Sequence, residues 1–588
     1  MRPHDNSPKR TVGFAAALAS LAPQCRWVLP ALGVFLADPA LAQEAPVALP
    51  PFMVEEAAKG PPWRYAEAMG YEILSRCDDG VTRRVVDAHF QLHVLLGEML
   101  PPQLRFTVSV PRSLILYDEQ LQPASSKEVI DRLMRSSGPV EPADDTYTSG
   151  LGRGMRISMP ARRMTFLPNL RLWDRDAMAV FMIVRRDDFD ADRLSLTQDY
   201  VGFLLKNRLP ALPPWFVSGT LSLYSQTSYG GSELSLAPLE WISETHTDAL
   251  KKDPKTAPPV RPLDEFFANR LPPASELQTY EPLKAWQAQA ALFVRWGLDA
   301  DKGAHRQALW NFADRGAVEG SSERVFQACF GFDFAAAHAQ LVAYLPNAVK
   351  RTVHFKPAHP EKLPPITLRN ASDGEIGRLK GDWERLEVPH VQAIAAELAP
   401  KYLEQARKTL KRAYDRDVRD PRLLAVMGLC ESDAGNTAGA REYLEAASRL
   451  GPIRPRANYE LARLRLAGMG VDSATPNAAL SLAQMVDVLT PLFAARASQP
   501  PLPEVYELIG EVWALGTSTP SRGHLAVLDE GVRLFPRRTN LVLRAAELNL
   551  RHGFRAEAAV LTELASRSAA EGSARERVAA LEKQLETK

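Results

Sequence analysis

Hydrophobic residues recur at helical spacing along much of this chain. Residues 194–224, LSLTQDYVGFLLKNRLPALPPWFVSGTLSLY, show the pattern most sharply. Leu196, Tyr200, Phe203 and Leu204 share one helical face. Pro210, Pro213 and Pro214 end that helix and open a second, which carries Trp215 to Tyr224. Upstream, residues 71–74, 104–110, 113–117, 150–165 and 177–184 alternate or cluster like strands. The apolar run AVFMIV at 179–184 fits a strand buried on both faces. Residues 83–100 read as a helix with Val85, His89, Leu92 and Leu96 on one face, and 121–145 as polar, helix-like or irregular. Downstream, SELSLAPLEWI is strand-like, and helices are expected over 262–267, 279–296, 306–314 and 322–345.

Residues 349–395 hold many prolines and charges and little periodicity, which predicts an extended linker with a short helix near 373–386. From 396 to 588 the pattern repeats. LLAVMGLCESDAGNTAGAREYLEAASRLGP places Met427, Gly428, Gly435, Ala440, Leu444, Ala447 and Pro452 at the offsets of a tetratricopeptide repeat. VYELIGEVW followed by HLAVLDEGVRLFP forms a second unit, and RAAELNLRHGFRAEAAVLTELA a third. Another unit begins at Tyr459, with a turn lengthened over 468–476, and 396–414 looks like a leading helix. Gly and Ala at these positions let antiparallel helices approach closely, and each pair buries its face only by stacking on the next.

A chain of 588 residues exceeds one core, so at least two domains are expected. Lys and Arg number 71 against 70 Asp and Glu, without a concentrated basic face or a nucleic-acid motif, so nucleic acid is not an expected partner. Residues 1–42 look like an export signal: Arg2, Lys9 and Arg10, then two apolar runs split by Pro23 to Arg26, then Ala40-Leu41-Ala42 before Gln43. The expectation is a periplasmic or secreted protein with no membrane span after signal cleavage, and a linker over 43–60. Cleavage leaves Cys77, Cys329 and Cys430, too far apart for a disulfide framework or a cysteine metal site.

Residues 194–224 resemble the active-site helix pair of the gluzincin, peptidase-MA-like metallopeptidases. Their pattern is L-x-H-E-x-x-H-x-x-L, a variable turn, then L-P-x-W-x-x-E-G-x-A-x-Y. Leu196, Leu205, Leu212, Pro213, Trp215 and Gly219 match the framework, Leu221 replaces the small Ala, and Tyr224 falls one place late. The chemical positions do not match. Gln198 and Gly202 stand where the zinc histidines would be, Asp199 replaces the general-base Glu, and Ser218 replaces the third ligand. Zinc hydrolysis needs three protein ligands and an open position for an activated water. Gln198 offers a weak neutral oxygen, Gly202 nothing, and Ser218 a poor ligand, so no metal, cofactor or catalytic residue is expected. His89 and His93, at i and i+4, form the other His pair to weigh, but Phe90 stands where a general-base Glu would be, and interface residues are the commoner reading of such a pair.

The resemblance implies an α+β fold: a thermolysin-like gluzincin domain over 61–348, with a strand-rich and a helical lobe, then an all-α tetratricopeptide solenoid. Its function would be that of an exported, non-catalytic pseudo-metallopeptidase whose repeats bind a protein or peptide partner. The alternatives are an active hydrolase with a divergent site around Asp199 and Ser218, and a purely structural assembly protein without a cleft. G-x-S-x-G does not occur, because Val217-Ser218-Gly219 lacks its leading Gly.

Overall fold

The computed structural model describes residues 61–118, 165–168, 170–184, 194–230, 232–253, 255, 260–268, 281–357, 365–394, 396–416, 418–470, 479–568 and 572–587. The expected export signal, the 43–60 linker, the 121–145 segment and nearly all of 150–165 lie outside these residues. The described residues are mostly helical, with a six-stranded, a three-stranded and a two-stranded sheet.

The first part runs β1 (Arg64–Ala68), β2 (Tyr71–Ser75), α1 (Asp79–Gly97), β3 (Arg112–Asp118), β4 (Thr165–Leu167), β5 (Leu170–Asp174), β6 (Ala177–Val184) and β7 (Leu194–Leu196). Next come α2 (Gln198–Lys206), α3 (Pro214–Tyr224), β8 (Thr227–Gly230), β9 (Glu233–Leu236), α4 (Glu244–Lys252) and α5 (Leu263–Phe267). Then follow α6 (Glu281–Gly303), α7 (Arg306–Glu319), α8 (Glu323–Phe330), α9 (Phe334–Ala348), β10 (Val353–Phe355) and β11 (Arg369–Asn370). Among the described residues, one sheet has the order β11-β1-β2-β3-β6-β5. β2, β3 and β6 are parallel, with α1 as the crossover between β2 and β3; β1 pairs antiparallel with β2, and the two edges, β11 and β5, pair antiparallel with their neighbours β1 and β6.

AVFMIV is buried throughout, as its unbroken apolar run predicts. One face of the sheet joins the core of α1, α2, α3 and α6; the other face, Tyr65, Ile115, Tyr117, Phe181 and Ile183, packs on Leu379, Trp383 and Leu386.

The second part is a stack of helices: α10 (Asp373–Ile394), α11 (Ala399–Asp415), α12 (Pro421–Asp433), α13 (Thr437–Leu450), α14 (Pro455–Gly468) and α15 (Leu482–Arg496). It continues with α16 (Pro503–Leu515), α17 (Arg522–Leu534), α18 (Thr539–Arg551), α19 (Arg555–Ser568) and α20 (Ser573–Glu586). The pairs α12–α13, α16–α17 and α18–α19 fall where the repeat pattern puts them. At Gly428 an added Cβ would lie 2.6 Å from Leu444 Cγ, so α12 and α13 approach more closely than any larger residue allows.

Two expectations need correction. Residues 104–110 are not a strand. Their backbone donors turn elsewhere: Phe106 N–H donates to Leu204 O at 2.7 Å and Ser109 N–H to Gln499 O at 2.8 Å. Residues 322–345 are helical as expected, in two helices split where Gly331 takes φ +82° and Asp333 caps the next helix. The segment 349–395 is not an extended linker. It supplies β10, paired with β9, and β11, paired with β1, and the helix expected near 373–386 runs on to 22 residues as α10. Its periodicity is masked because Arg378, Glu384, Arg385 and Glu387 are buried beside the apolar residues of α10.

Candidate functional site

The hairpin α2–α3 is built by local rules. The Thr197 side chain accepts from Tyr200 N–H at 3.3 Å and caps α2, with Asp199 in the first turn and Lys206 in the last, where each complements the helix dipole. Pro214 occupies the first turn of α3, where a missing N–H costs nothing. The framework residues of the hairpin are held by packing. Trp215 stacks on Phe312 at 5.4 Å, meets Phe293 edge-on at 5.1 Å, and donates from Nε1 to Ser321 Oγ at 2.9 Å. Gly219 lies under α6, where a Cβ would come within 2.8 Å of Val294 Cγ2 and closer still to the Ala290 carbonyl. Tyr224 Oη donates to Leu196 O at 2.7 Å and ties the end of α3 to the strand before α2.

The polar positions behave differently. Gln198 is exposed, and its Nε2 lies 3.5 Å from Leu221 O. A Cβ at Gly202 would touch Leu221 Cδ2 at 3.7 Å, ordinary van der Waals contact. The hairpin thus sets Gln198 and Gly202 against Leu221, with half-buried Ser218 one turn earlier on the same helix. Asp199 turns out toward β5, where its Oδ2 accepts from Arg171 Nη2 at 3.0 Å, and its side chain is 84% exposed. The Arg171 guanidinium in turn lies 4.1 Å from the Phe203 ring centre. Among the described residues, no three His, Cys, Asp or Glu side chains are grouped to hold a metal.

Behind the hairpin lies a largely buried polar cluster, of which the sequence disclosed only the His pair. Tyr200, on the side of α2 opposite Gln198, shares a hydrogen bond with Tyr71 Oη at 2.8 Å and with His93 Nε2 at 3.0 Å. His93 Nδ1 lies 3.1 Å from His89 O on its own helix. The two imidazoles are 4.5 Å apart, centre to centre. His89 is fully buried and neither ring nitrogen has a partner. Burial, reinforced by Arg112, pushes its pKa down to about 3. Burial, His89, Arg105 and Arg112 push His93 down as well. This is an environment for two neutral imidazoles rather than for a cation, because it sets two guanidinium groups beside them.

The other concentration of charge lies where the sheet meets the helix stack. The β5–β6 hairpin turns through Arg175, which takes φ +51°, uncommon for a residue with a side chain. The turn projects two carboxylates. Asp174 Oδ2 accepts from Arg385 Nη2 of α10 at 2.7 Å and from Arg454 Nη2, just before α14, at 2.6 Å. Asp176 is fully buried, and its Oδ2 accepts the backbone N–H of Arg456, in the first turn of α14, at 2.7 Å. Burial raises the Asp174 carboxyl, but the three arginines outweigh it and hold it well below the usual range. Burial and the charge of Asp174 push Asp176 upward. Nearby, Glu72 of β2 is 2% exposed, pairs with Arg378 of α10 and lies 3.3 Å from Arg422 of α12, while Tyr65 Oη donates to it at 2.9 Å. The sequence held no signal for this junction, since these residues are scattered from 65 to 456.

No protein-family model matches the chain, and no curated protein matches it. Solved structures similar to part of it include YrrB, described as a TPR protein with an unusual peptide-binding site, at 16% identity and a TM-score of 0.25, over 32% of this chain and 89% of that one. Others are TTC0263, a thermophilic TPR protein of Thermus thermophilus, at 18% identity and a TM-score of 0.23 over 33% and 99%, and pilF of Pseudomonas aeruginosa, at 15% and 0.23 over 35% and 92%.

Proposed function

We propose that the chain is an exported, non-catalytic protein-interaction protein. In this reading its first part descends from a gluzincin of thermolysin-like fold, and its helix pairs are tetratricopeptide repeats that recruit a protein or peptide. The observation that carries the reading is the chemistry of one hairpin. Gln198, Gly202 and Ser218 supply no imidazole and no carboxylate, and the one carboxylate, Asp199, is exposed and paired with Arg171. A divergent hydrolase around Asp199 and Ser218 is the weaker reading, because Asp199 turns toward β5.

The test is direct. Purified full-length protein is expected to carry no stoichiometric zinc and to show no peptidase activity, and Asp199→Ala is expected to change neither. Zinc at one per chain, or proteolysis that the substitution abolishes, overturns the reading. Affinity capture with the full chain, followed by direct binding of the purified candidate, tests the recruiting role. N-terminal sequencing of the mature protein tests export, with Gln43 expected as the first residue.

A further inference from the structure

We propose that the cavity between the sheet and the helix stack is a binding site for a compact, uncharged aromatic molecule that carries a hydrogen-bond acceptor.

The cavity has a volume of about 310 Å³, at the lower end of the roughly 300–1,000 Å³ that small-molecule sites span. Both parts of the chain build it. Met178 comes from β6, Leu379 and Trp383 from α10, Val426 from α12, and Ile453 from the turn before α14. These five side chains are buried and form an apolar floor. Ser109, Pro111, Arg422 and Pro452 are exposed and form the rim, so the cavity opens to solvent. Floor and rim are both held by the fold. Trp383 is stacked on Phe181 at 5.0 Å, and Ser109 N–H donates to Gln499 O at 2.8 Å. Packed interiors keep few voids larger than a water molecule, so a space of this size between two fixed walls is not ordinary packing.

The polar groups say what kind of molecule fits. Arg378 and Arg454 line the cavity, and each side chain is 8% exposed. Both Nη atoms of Arg378 donate to Glu72, and those of Arg454 donate to Asp174 and Asp382. The remaining nitrogen of each, Nε, is a buried donor without a hydrogen bond. Such a donor is costly, and a ligand oxygen that reaches it removes the cost. That oxygen is not a carboxylate. Glu72 and Asp382 line the same cavity, and Asp420 lies 3.9 Å from Arg378 Nε and 3.4 Å from Arg422 Nη2, so the guanidinium charges are already matched. A further anion meets these carboxylates, and a cation meets the guanidinium groups. An amide or ketone oxygen takes the N–H without adding charge. An aromatic ring suits the apolar floor, where the Trp383 indole offers it a flat neighbour.

Naphthylacetamide and naphthylacetate make a matched pair of probes, alike in ring and shape and different in charge. In calorimetric titration of the full-length chain, the amide is expected to bind at one site with a Kd below about 1 mM. The acetate is expected to bind about tenfold more weakly or worse. With the amide at about ten times its Kd, hydrogen exchange over residues 378–386 of α10 and 422–426 of α12 is expected to slow by about tenfold, while α18 is unchanged. Ala425 lines the cavity from α12 and is buried. Ala425→Leu fills part of the space and is expected to weaken the amide about tenfold or more, whereas Ala425→Ser binds it as the unmodified chain does. No binding of the amide, equal or tighter binding of the acetate, or protection that spares α10 and α12 overturns the proposal. Should Ala425→Leu fail to fold, the exchange pattern of the unmodified chain decides.

Discussion

Asp199 on α2 and Asp174 at the end of β5 are both carboxylates held by arginine. Asp199 is 84% exposed and meets Arg171 at 3.0 Å; Asp174 is mostly buried and is shared by Arg385 and Arg454 at 2.7 and 2.6 Å. An exposed pair of the first kind contributes little to stability, whereas losing one member of a buried cluster is expensive. The polar positions of the α2–α3 hairpin are therefore free to change, and those of the junction are not. The same hairpin keeps Trp215 and Gly219, whose places are dictated by Phe312, Phe293 and the backbone of α6. Packing dictates Trp215 and Gly219, whereas nothing in the fold dictates Gln198, Gly202 or Ser218.

The contrast is broken most severely at Glu72. Changing Glu72→Ala removes the carboxylate facing buried Arg378, whose nearest remaining carboxylate is Asp420 at 3.9 Å. A loss of about 3–5 kcal/mol is expected in urea denaturation. A loss under about 1 kcal/mol would show that the junction tolerates change as the hairpin does. Next in size is Gly219→Ala. The added methyl meets the Ala290 carbonyl and Val294, so destabilisation of about 1–3 kcal/mol is expected in spite of the better helix former. A raised melting temperature would remove the packing account of that glycine.

A third effect concerns pH. His89 is held neutral in the fold, down to about 3, while in the unfolded chain it takes a proton near 6.5. Its contribution is intact above pH 6.5 and is lost as pH falls toward 3, by about 1.4 kcal/mol per unit. His93 is shifted in the same direction and steepens the slope. Around the pair stand Tyr71, Tyr200, Arg105 and Arg112. Stability measured at pH 7, 6 and 5 should fall less steeply in His89→Leu than in the unmodified chain; parallel slopes would mean that the imidazole is not kept neutral.

The hairpin and the repeats could be read from the sequence because their signals are local: prolines at a turn, small residues where helices touch, apolar residues at i and i+4. The junction could not, since Asp174, Arg385 and Arg454 are remote in the chain and each looks like an ordinary surface charge. The start of α10 was legible as the short helix expected near 373–386, but its full length and its burial were not, for the same reason. Its ion pairs interleave with Leu379, Trp383 and Leu386 and blur the apolar stripe. At the candidate site, the absence of imidazole and carboxylate at Gln198, Gly202 and Ser218 could be read from the letters alone, whereas the outward turn of Asp199 depends on Arg171, a residue of another strand.

α10 belongs to two structures at once: it roofs the sheet through Trp383, stacked on Phe181 at 5.0 Å, and it begins the helix stack by packing on α11. A cut before Asp373 would strip the sheet of its cover, and a cut after Ile394 would take away the first layer of the stack. The chain therefore has no clean seam. Recombination, truncation or swapping of its C-terminal third would leave a greasy surface on one fragment or the other, and the two parts are bound to be inherited together.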